Sequence, residues 1–146
     1  MYKRQLLRPA DRIRNYRLEG HVRLPEKEDR TLFAYWRARL TDTFISAIRQ
    51  QGGILVNLAS AEMKNLFDWT RVTREVRVIT PNFYTYKGGR LSTVVVYAKM
   101  CRGEMTRFIL KNRIENPEDL KTFEWEGYRF NPRESHDDHW VFTPGT

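Results

Sequence analysis

The chain is poor in cysteine and has no long apolar segment. Cys101 is its single cysteine among 146 residues, so no disulfide can form within the chain, and we expect a reducing, cytoplasmic setting. The longest apolar runs, such as 53–56 and 94–97, are a few residues long, against the ~20 that a membrane span needs. The first residues also lack the pattern of a secretory signal. These absences predict a protein that does not cross a membrane.

Signatures of common enzyme classes are also missing. The sequence has no Walker loop, dinucleotide fingerprint, Cys-x-x-Cys pair or kinase signature. Ser60 lacks the Gly-x-Ser-x-Gly surroundings of a hydrolase nucleophile. The run 136–139 (His-Asp-Asp-His) offers metal-binding side chains, but it lies in a hydrophilic loop without a third partner. We therefore predict no metal and no cofactor, and whether the protein is an enzyme stays open.

The composition favours a folded, basic protein. Apolar residues make up 40% of the chain and aromatic residues 13%, which is too many for a disordered tail. The 26 basic and 18 acidic residues give a net charge of +8, which favours an anionic partner. Residues 1–23 hold seven basic and two acidic residues, so +5 of this excess lies in the first segment. The rest of the chain is close to balanced.

The opening residues have two interpretations. Residues 1–5 lead into the segment that follows without a cap or a strand-forming residue, as translated adapter sequence does at the broken end of an assembled read. They are then foreign, and the net charge without Lys3 and Arg4 is +6. Alternatively, they form a natural basic arm. We find no linker or repeat, and predict a single domain over 1–146.

Apolar spacing and turn residues predict a mixture of helices and strands. Apolar residues from Leu32 to Ile48 recur every three to four positions, which predicts a helix over 31–51 that ends at Gly52-Gly53. The run 54–58 lacks polar alternation, as in a strand covered on both faces, and Ser60 lies where the N-cap of a following helix would be.

The second half predicts a hairpin, another long helix and two further strands. The β-prone runs 75–86 and 91–98 are joined by a Gly-Gly turn, and Pro81 favours an edge position or a bulge. A second long helix is predicted over 100–113, a short helix begins at Asn116-Pro117, and 127–130 and 139–142 are short strands. The fold class is α+β: a mixed sheet containing a β-hairpin, flanked by two long helices and short helices.

A basic cluster lies where the second strand of the predicted hairpin, 91–98, meets the second long helix. Lys99 and Arg102 oppose the positive end of a helix dipole, so their presence suggests a bound anion or buried carboxylates. Gly103 would allow close approach to the backbone. The alternative is a surface cluster neutralised by Glu104. Cys101, between the two cations, is either a reactive thiol with a lowered pKa or an ordinary packed residue.

A polar cluster follows the predicted strand 54–58. If the two predicted strands share a sheet and run parallel, Asn57 and Ser60 lie on the same rim as Lys99 and Arg102. Glu62 is the carboxylate of this group and the candidate acid or base. Ser60 is otherwise simply a helix cap.

Five strings together resemble the C-terminal half of the YaaA family of bacterial peroxide-stress proteins. They are LRPxD at 7–11, YRLE at 16–19, NLASxE at 57–62, YAKxxRGxMxRFI at 97–109 and EGYxF at 126–130. The order and spacing of these strings cover nearly the whole chain. Family members are about twice as long, so the resemblance implies that an N-terminal half of the same fold is missing and that this chain is a fragment of a larger single α/β fold.

The resemblance implies a function and a set of residues. It implies a cytoplasmic protein that binds DNA and protects cells from peroxide by limiting iron-dependent damage, with the family's helix-hairpin-helix in the missing half and no established reaction. The motif residues that carry over are Tyr16, Arg17, Glu19, Asn57, Ser60, Glu62, Lys99, Arg102, Gly103 and Arg107. The chain departs from the family at Met63, at Gly20-His21 and at Glu104, an added acid that could weaken phosphate attraction.

Two functions therefore compete. In the first, Arg17, Lys99, Arg102 and Arg107 line a positive groove and contact DNA phosphates without reading sequence. In the second, the same rim is a phosphate or carboxylate pocket of an enzyme or small-ligand protein, with Glu62 as acid or base. Direct coordination of iron has little support, because few ligand side chains cluster outside the loop at 136–139.

Overall fold

The computed structural model describes residues 12, 19–24 and 30–145. The helices are α1 (Leu32–Gln50), α2 (Trp69–Glu75), α3 (Val95–Asn112) and two 3-10 helices, Ala61–Leu66 and Pro117–Thr122. The strands are β1 (Arg23–Leu24), β2 (Arg30–Thr31), β3 (Ile54–Val56), β4 (Arg77–Phe83), β5 (Thr85–Lys87), β6 (Arg90–Ser92), β7 (Glu124–Trp125), β8 (Tyr128–Phe130) and β9 (His139–Pro144). None of the helices among these residues is long and apolar enough to span a bilayer.

Helix α1 forms where the apolar spacing predicts it. The Thr31 hydroxyl accepts a hydrogen bond from the Ala34 N–H at 3.2 Å and caps the first turn. At the other end, Gly52 and Gly53 adopt φ values of 96° and 76°, and the Gly53 N–H donates to the Ile48 carbonyl at 2.9 Å. These left-handed conformations suit glycine, so the predicted end of the helix is confirmed.

The main sheet is mixed. Its five strands lie in the order β3-β4-β9-β8-β7, with β3, β4 and β9 parallel, β8 antiparallel to β9, and β7 antiparallel to β8. Strands β1 and β2 pair separately, as do β5 and β6. The predicted α+β class with a hairpin is confirmed.

Pro81 lies in a central strand, so the predicted edge or bulge position is wrong. Strand β4 has β3 on one side and β9 on the other, and Pro81 is buried opposite Trp140. Hydrogen bonds of a parallel strand alternate between its two neighbours. The backbone of Ile79 bonds to the β3 side of the strand, where its carbonyl accepts from the Asn57 N–H. Two residues later, the backbone of Pro81 points to the same side, but β3 has already ended there. The missing N–H of Pro81 therefore costs no ladder bond.

The predicted hairpin is real but shorter, and its second strand gives way to a helix. Strands β5 and β6 are joined through Gly88 and Gly89, both with positive φ. Helix α3 then begins at Val95, five residues before the predicted start. Val95 and Val96 are β-prone by composition, but they are exposed in the first turn of α3. The buried residues of α3, which recur every three to four positions from Ala98 onward, determine that this segment is helical.

Caps explain the shorter helices. The Asp68 carboxylate accepts from the Arg71 N–H at 3.1 Å at the start of α2, a helix that the sequence analysis does not predict. The Asn116 side chain accepts from the Glu118 N–H at 3.1 Å, so the predicted helix start at Asn116-Pro117 is confirmed. The predicted helix over 61–67 is a 3-10 helix.

The core lies between α3 and the sheet. The inner side of α3 buries Ala98, Cys101 and Met105 against strand residues that include Ile79 and Phe142. Phe142 contacts three other phenylalanine rings at centroid distances of 5.4–6.0 Å. This packing fixes the orientation of α3, and with it the positions of the side chains that α3 directs away from the core.

Candidate functional site

A recess of about 470 Å³ opens at the carboxyl end of β3. Its lining is mostly apolar and comes from α1, from α3 and from the segment that follows β3: Phe44, Leu55, Val56, Asn57, Leu58, Ala59, Met63, Lys64, Phe67, Trp69, Thr106 and Ile109. Small-molecule sites usually occupy ~300–1,000 Å³ and combine apolar walls with few polar groups. The recess has this size and this balance.

Asn57 is the buried polar group of the recess. Its backbone N–H donates to the Ile79 carbonyl at 2.8 Å, which holds the residue at the end of the parallel pair β3–β4. The residue is 6% exposed, and its side-chain amide has no hydrogen bond to any residue in the described part of the chain. The amide atoms are not fully buried, so they reach solvent through the recess. The Asn57 amide is therefore available to a ligand in the recess.

Aromatic side chains form one wall. Phe44 and Phe67 stack with ring centroids 4.0 Å apart and an interplanar angle of 17°. Trp69 also lines the recess, and the Lys64 Nζ lies 5.0 Å from the centroid of its ring. This places a flat apolar surface and a cation at the same opening.

Helix α3 connects the recess with two of the predicted basic residues. Lys99, Arg102, Thr106 and Ile109 are spaced by three or four residues, so they lie along one side of the helix. Thr106 and Ile109 line the recess, and the Thr106 hydroxyl donates to the Arg102 carbonyl at 2.9 Å. Arg102 lies about 6 Å along the axis from Thr106, and Lys99 about 10 Å. We call Lys99 and Arg102 the basic pair.

The basic pair is not neutralised. No described acidic group forms an ion pair or hydrogen bond with the Lys99 or Arg102 side chain. Arg102 is half-buried in this state. A half-buried guanidinium without a partner favours an external anion.

Arg107 and Gly103 lie elsewhere on α3. Arg107 is turned about 140° around the helix from Arg102, and its Nη1 lies 3.8 Å from the Glu104 carboxylate. Gly103 is exposed with open space beside its Cα. The structure thus places Lys99 and Arg102 on the side of α3 that also carries the recess residues Thr106 and Ile109, and Arg107 on another flank.

The predicted helix N-terminus at the basic cluster is wrong. Because α3 begins at Val95, Lys99 is its fifth residue and Arg102 its eighth. Both lie beyond the first turn, where the unpaired N–H groups and the dipole act. The basic pair therefore offers side-chain charge alone.

Ser60 and Glu62 are not part of the recess lining. Ser60 occupies the N-cap position of the 3-10 helix, but its hydroxyl makes no capping hydrogen bond, so the interpretation as a cap is wrong in that respect. Glu62 is exposed in the first turn. Neither side chain is among those that form the recess.

Cys101 is packed and not reactive. The residue is fully buried on the inner side of α3. Burial raises the pKa of the Cys101 thiol to about 11, so the interpretation with a lowered pKa is wrong. The nearby cations do not reach the thiol because they point to the outer side of the helix.

The remaining predicted residues lie apart from the recess or outside the described part. Tyr16 and Arg17 are outside the described residues. Glu19 is exposed, and its carbonyl accepts from the Val22 N–H at 3.1 Å. In the loop at 136–139, the Asp138 carboxylate binds Arg77, with an Nη2–Oδ1 distance of 2.7 Å. Within the described ranges, no three His, Cys, Asp or Glu side chains are grouped as metal ligands.

Three contributors to the site carry no signal in the sequence motifs. Lys64, Trp69 and Thr106 line the recess although no motif marks them. Thr106 could have been found from its helical spacing with Lys99 and Arg102. Lys64 and Trp69 could not, because their position depends on the path of the chain after β3.

The fold and this site define a class. The chain is an α+β protein with an apolar recess at the carboxyl end of a parallel strand pair, and two unneutralised cations lie on the helix that forms one wall of this recess. Ligand sites of sheets with parallel strands lie at this end.

Comparison with known proteins gives the family. The sequence model of the family described as "Peroxide stress protein YaaA" matches residues 6–134, and the chain belongs to this family. A UPF0246 protein of Phocaeicola vulgatus is 62% identical over 138 residues, and one of Bacteroides fragilis is 64% identical over 140 residues. These matches cover 94% and 96% of this chain. A more distant UPF0246 protein, from Clostridium perfringens, is 39% identical over 138 residues.

The relatives are longer than this chain. It covers 54% of the length of each of these three proteins, so it spans about half the length of the curated relatives that it matches.

Proposed function

We propose that this chain is a cytoplasmic peroxide-stress protein that binds DNA without sequence preference. The basic pair, Lys99 and Arg102, contacts the phosphates. Membership of the YaaA family supports the peroxide-stress role. The observation that carries the DNA contact is the absence of any described acidic partner for the two side chains.

Phosphate binding by this pair follows from its charge and position. Two cations about one helical turn apart can neutralise neighbouring phosphates and release the counterions that surround DNA. Such contacts add affinity but read no sequence. Arg17 and Arg107 belong to the same prediction, and Arg107 would extend the contact to the other flank of α3.

The test is duplex DNA binding by the double variant Lys99→Ala/Arg102→Ala. We expect affinity to fall about tenfold or more at low salt, and the slope of log affinity against log salt to become shallower by about two, one for each lost contact. Fluorescence anisotropy over a salt series measures both quantities.

The matched control is Arg74→Ala/Lys111→Ala, which removes the same charge from exposed positions elsewhere. It should keep most of the affinity and nearly the full slope. If both variants lose the same DNA affinity, binding depends on net charge alone, and the specific role of the basic pair is overturned. Arg107→Ala, measured alone, decides whether that residue takes part.

Limitation of iron-dependent damage is the further part of the proposal. Protein bound along DNA would keep iron and peroxide from reacting at the backbone. The chain should therefore reduce nicking of supercoiled plasmid by Fe²⁺ and hydrogen peroxide, and Lys99→Ala/Arg102→Ala should lose this protection. If the variant protects the plasmid as well as the parent chain does, the protection does not depend on DNA binding by the basic pair.

A protein segment from the longer relatives is the second partner that we propose. Among the described strands, β3 lies at an edge of the main sheet, and its Ile54 is 38% exposed. An open edge with an exposed apolar side chain favours pairing with another strand. The half of the Phocaeicola vulgatus relative that the match leaves out should co-purify with this chain, and Ile54→Lys should prevent it.

A small-ligand protein remains the second candidate function, because the unpartnered Asn57 amide faces a recess of suitable size. The mostly apolar lining favours a ring over a bare phosphate or carboxylate. Glu62 lies outside the lining, so an acid or base role needs a ligand that extends out of the recess. If replacing Glu62 with Gln leaves ligand affinity unchanged, Glu62 has no part in binding.

A further inference from the structure

We propose that the recess at the end of β3 receives one heterocyclic base of a nucleotide. The nucleotide is either free or an unpaired residue of a DNA strand, and its phosphate points toward Arg102. The inference deepens the proposed DNA binding and rests on it for the position of the phosphate.

The Asn57 amide sets the hydrogen-bonding requirement. Its side chain has no partner among the described residues and its polar atoms are open to the recess, so its donor and acceptor are both available to a ligand. An amide can satisfy both groups at once against a base edge with an adjacent acceptor and donor, as Asn does with adenine. A purely apolar ligand would leave the amide unsatisfied and would bind poorly.

The walls set the shape. The Phe44–Phe67 stack and Trp69 present ring surfaces around the recess, and Leu58 and Ile109 add aliphatic surface. Aromatic walls accept the faces of bases because every base has a π-face. A volume of about 470 Å³ suits one base with its sugar.

The cations set the direction. Lys64 lies at the recess, and Arg102 precedes Thr106 by about 6 Å along the axis of α3. A ligand that fits must therefore be flat and apolar with a hydrogen-bonding edge at one end and anionic at the other. A bare phosphate would leave the apolar walls without contact, so a nucleotide meets all three requirements better than an inorganic anion.

The first experiment uses free compounds. Adenosine 5′-monophosphate is titrated into the chain and compared with ribose 5-phosphate, which lacks the base. We expect binding of the nucleotide, at least tenfold weaker binding of ribose 5-phosphate, and quenching of fluorescence that Trp69→Phe removes.

The second experiment uses DNA. A deoxyadenosine oligonucleotide should bind at least tenfold better than the same oligonucleotide with abasic positions. Asn57→Leu, which keeps the side chain's size, should remove this preference for bases over abasic positions. Thr106→Trp, at an exposed position on the rim, should block the recess without altering Asn57.

The outcomes separate this inference from the proposed function. If neither the nucleotide nor the oligonucleotide shows a base-dependent preference while duplex binding still depends on the basic pair, the recess inference is overturned and the DNA contact stands. If the nucleotide binds and duplex DNA does not, the base site stands as a site for free nucleotides. If Asn57→Leu raises the melting temperature and both variants bind every probe like the parent chain, a polypeptide segment covers the recess and the inference is wrong.

Discussion

The arginines near α2 are paired with acids, whereas the basic pair beside the recess is not. Arg71 Nη1 lies 2.6 Å from Asp42 Oδ1, and Arg71 Nε lies 2.7 Å from Glu75 Oε1. The hydrogen bonds to Glu75 and Asp42 raise the pKa of Arg71, and Asp138 raises the pKa of Arg77. Lys99 and Arg102 have no such partner among the described residues. We call the region of Arg71, Arg77 and their acidic partners the paired side. We call the recess together with Lys99 and Arg102 the open side.

The same contrast holds for buried polar groups. On the paired side, the Thr41 hydroxyl donates to the Arg37 carbonyl at 2.7 Å and accepts from the Asp68 N–H at 2.9 Å. On the open side, the Asn57 side chain makes no hydrogen bond to the described residues, and its amide atoms stay open to solvent. One exception lies on the paired side, since the buried Nε1 of Trp36 has no partner.

The difference teaches where the chain departs from rules of stability. Paired charges and satisfied hydroxyls hold α1, α2 and β4 together, and they need nothing from outside. An unsatisfied amide and unneutralised cations contribute no stability alone, and such departures concentrate where a protein binds a ligand.

The largest expected effect compares the core with the recess. Phe142→Ala removes a fully buried ring that packs against Phe83, Phe123 and Phe130, and should cost about 3–5 kcal/mol of unfolding free energy. Ile109→Ala, at the half-buried recess wall, should cost less than half of that. Urea denaturation measures both. Equal costs would show that the recess is packed as tightly as the core, and the two sides would no longer differ.

Much of the fold could be predicted from the sequence, because local signals and packing agree there. The apolar stripe from Leu32, with the glycines after it, is sufficient for α1, and Asn116-Pro117 is sufficient for the short helix that follows. The signals fail at Pro81, because strand order decides whether a missing N–H matters. They fail at Val95 and Val96, because the buried face of α3 outweighs β propensity.

The site could be predicted only in part. The strings around Asn57 and Arg102 mark one residue of the recess and one cation on the helix that lines it. Spacing along the chain cannot show that Arg107 lies on the other flank, since this depends on where α3 begins and on the side that it buries. It also cannot show that Asn57 lacks a partner, because that is a property of the packed structure.

A smaller effect is expected from acids on the two sides. Glu75 binds both Arg71 and Arg49, the latter at 3.0 Å, so Glu75→Ala should lower the melting temperature by a few degrees. Glu104→Ala should leave the melting temperature unchanged, because Glu104 lies 3.8 Å from Arg107 in an exposed contact. It should also raise DNA affinity slightly by removing a negative charge next to Arg102. Thermal denaturation and fluorescence anisotropy provide the measurements. A melting temperature that falls equally in both variants would remove the distinction between the sides.

The smallest expected effect tests whether Lys99 and Arg102 influence the buried Cys101 thiol or face only the solvent. Burial raises the pKa of the Cys101 thiol from 9.0 to about 11, so folding favours its neutral form. The stability that the neutral thiol contributes is complete below about pH 9 and is lost as the pH rises through about 11. The parent chain should therefore lose more stability between these pH values than Cys101→Ala does. Tyr128, whose pKa is also raised by burial, still titrates in that variant.

The native thiol should also react slowly with a disulfide reagent at pH 8, and quickly after unfolding. Fast reaction of the folded chain, slowed in Lys99→Ala/Arg102→Ala, would mean that the basic pair reaches inward to the thiol and is not free to bind an anion.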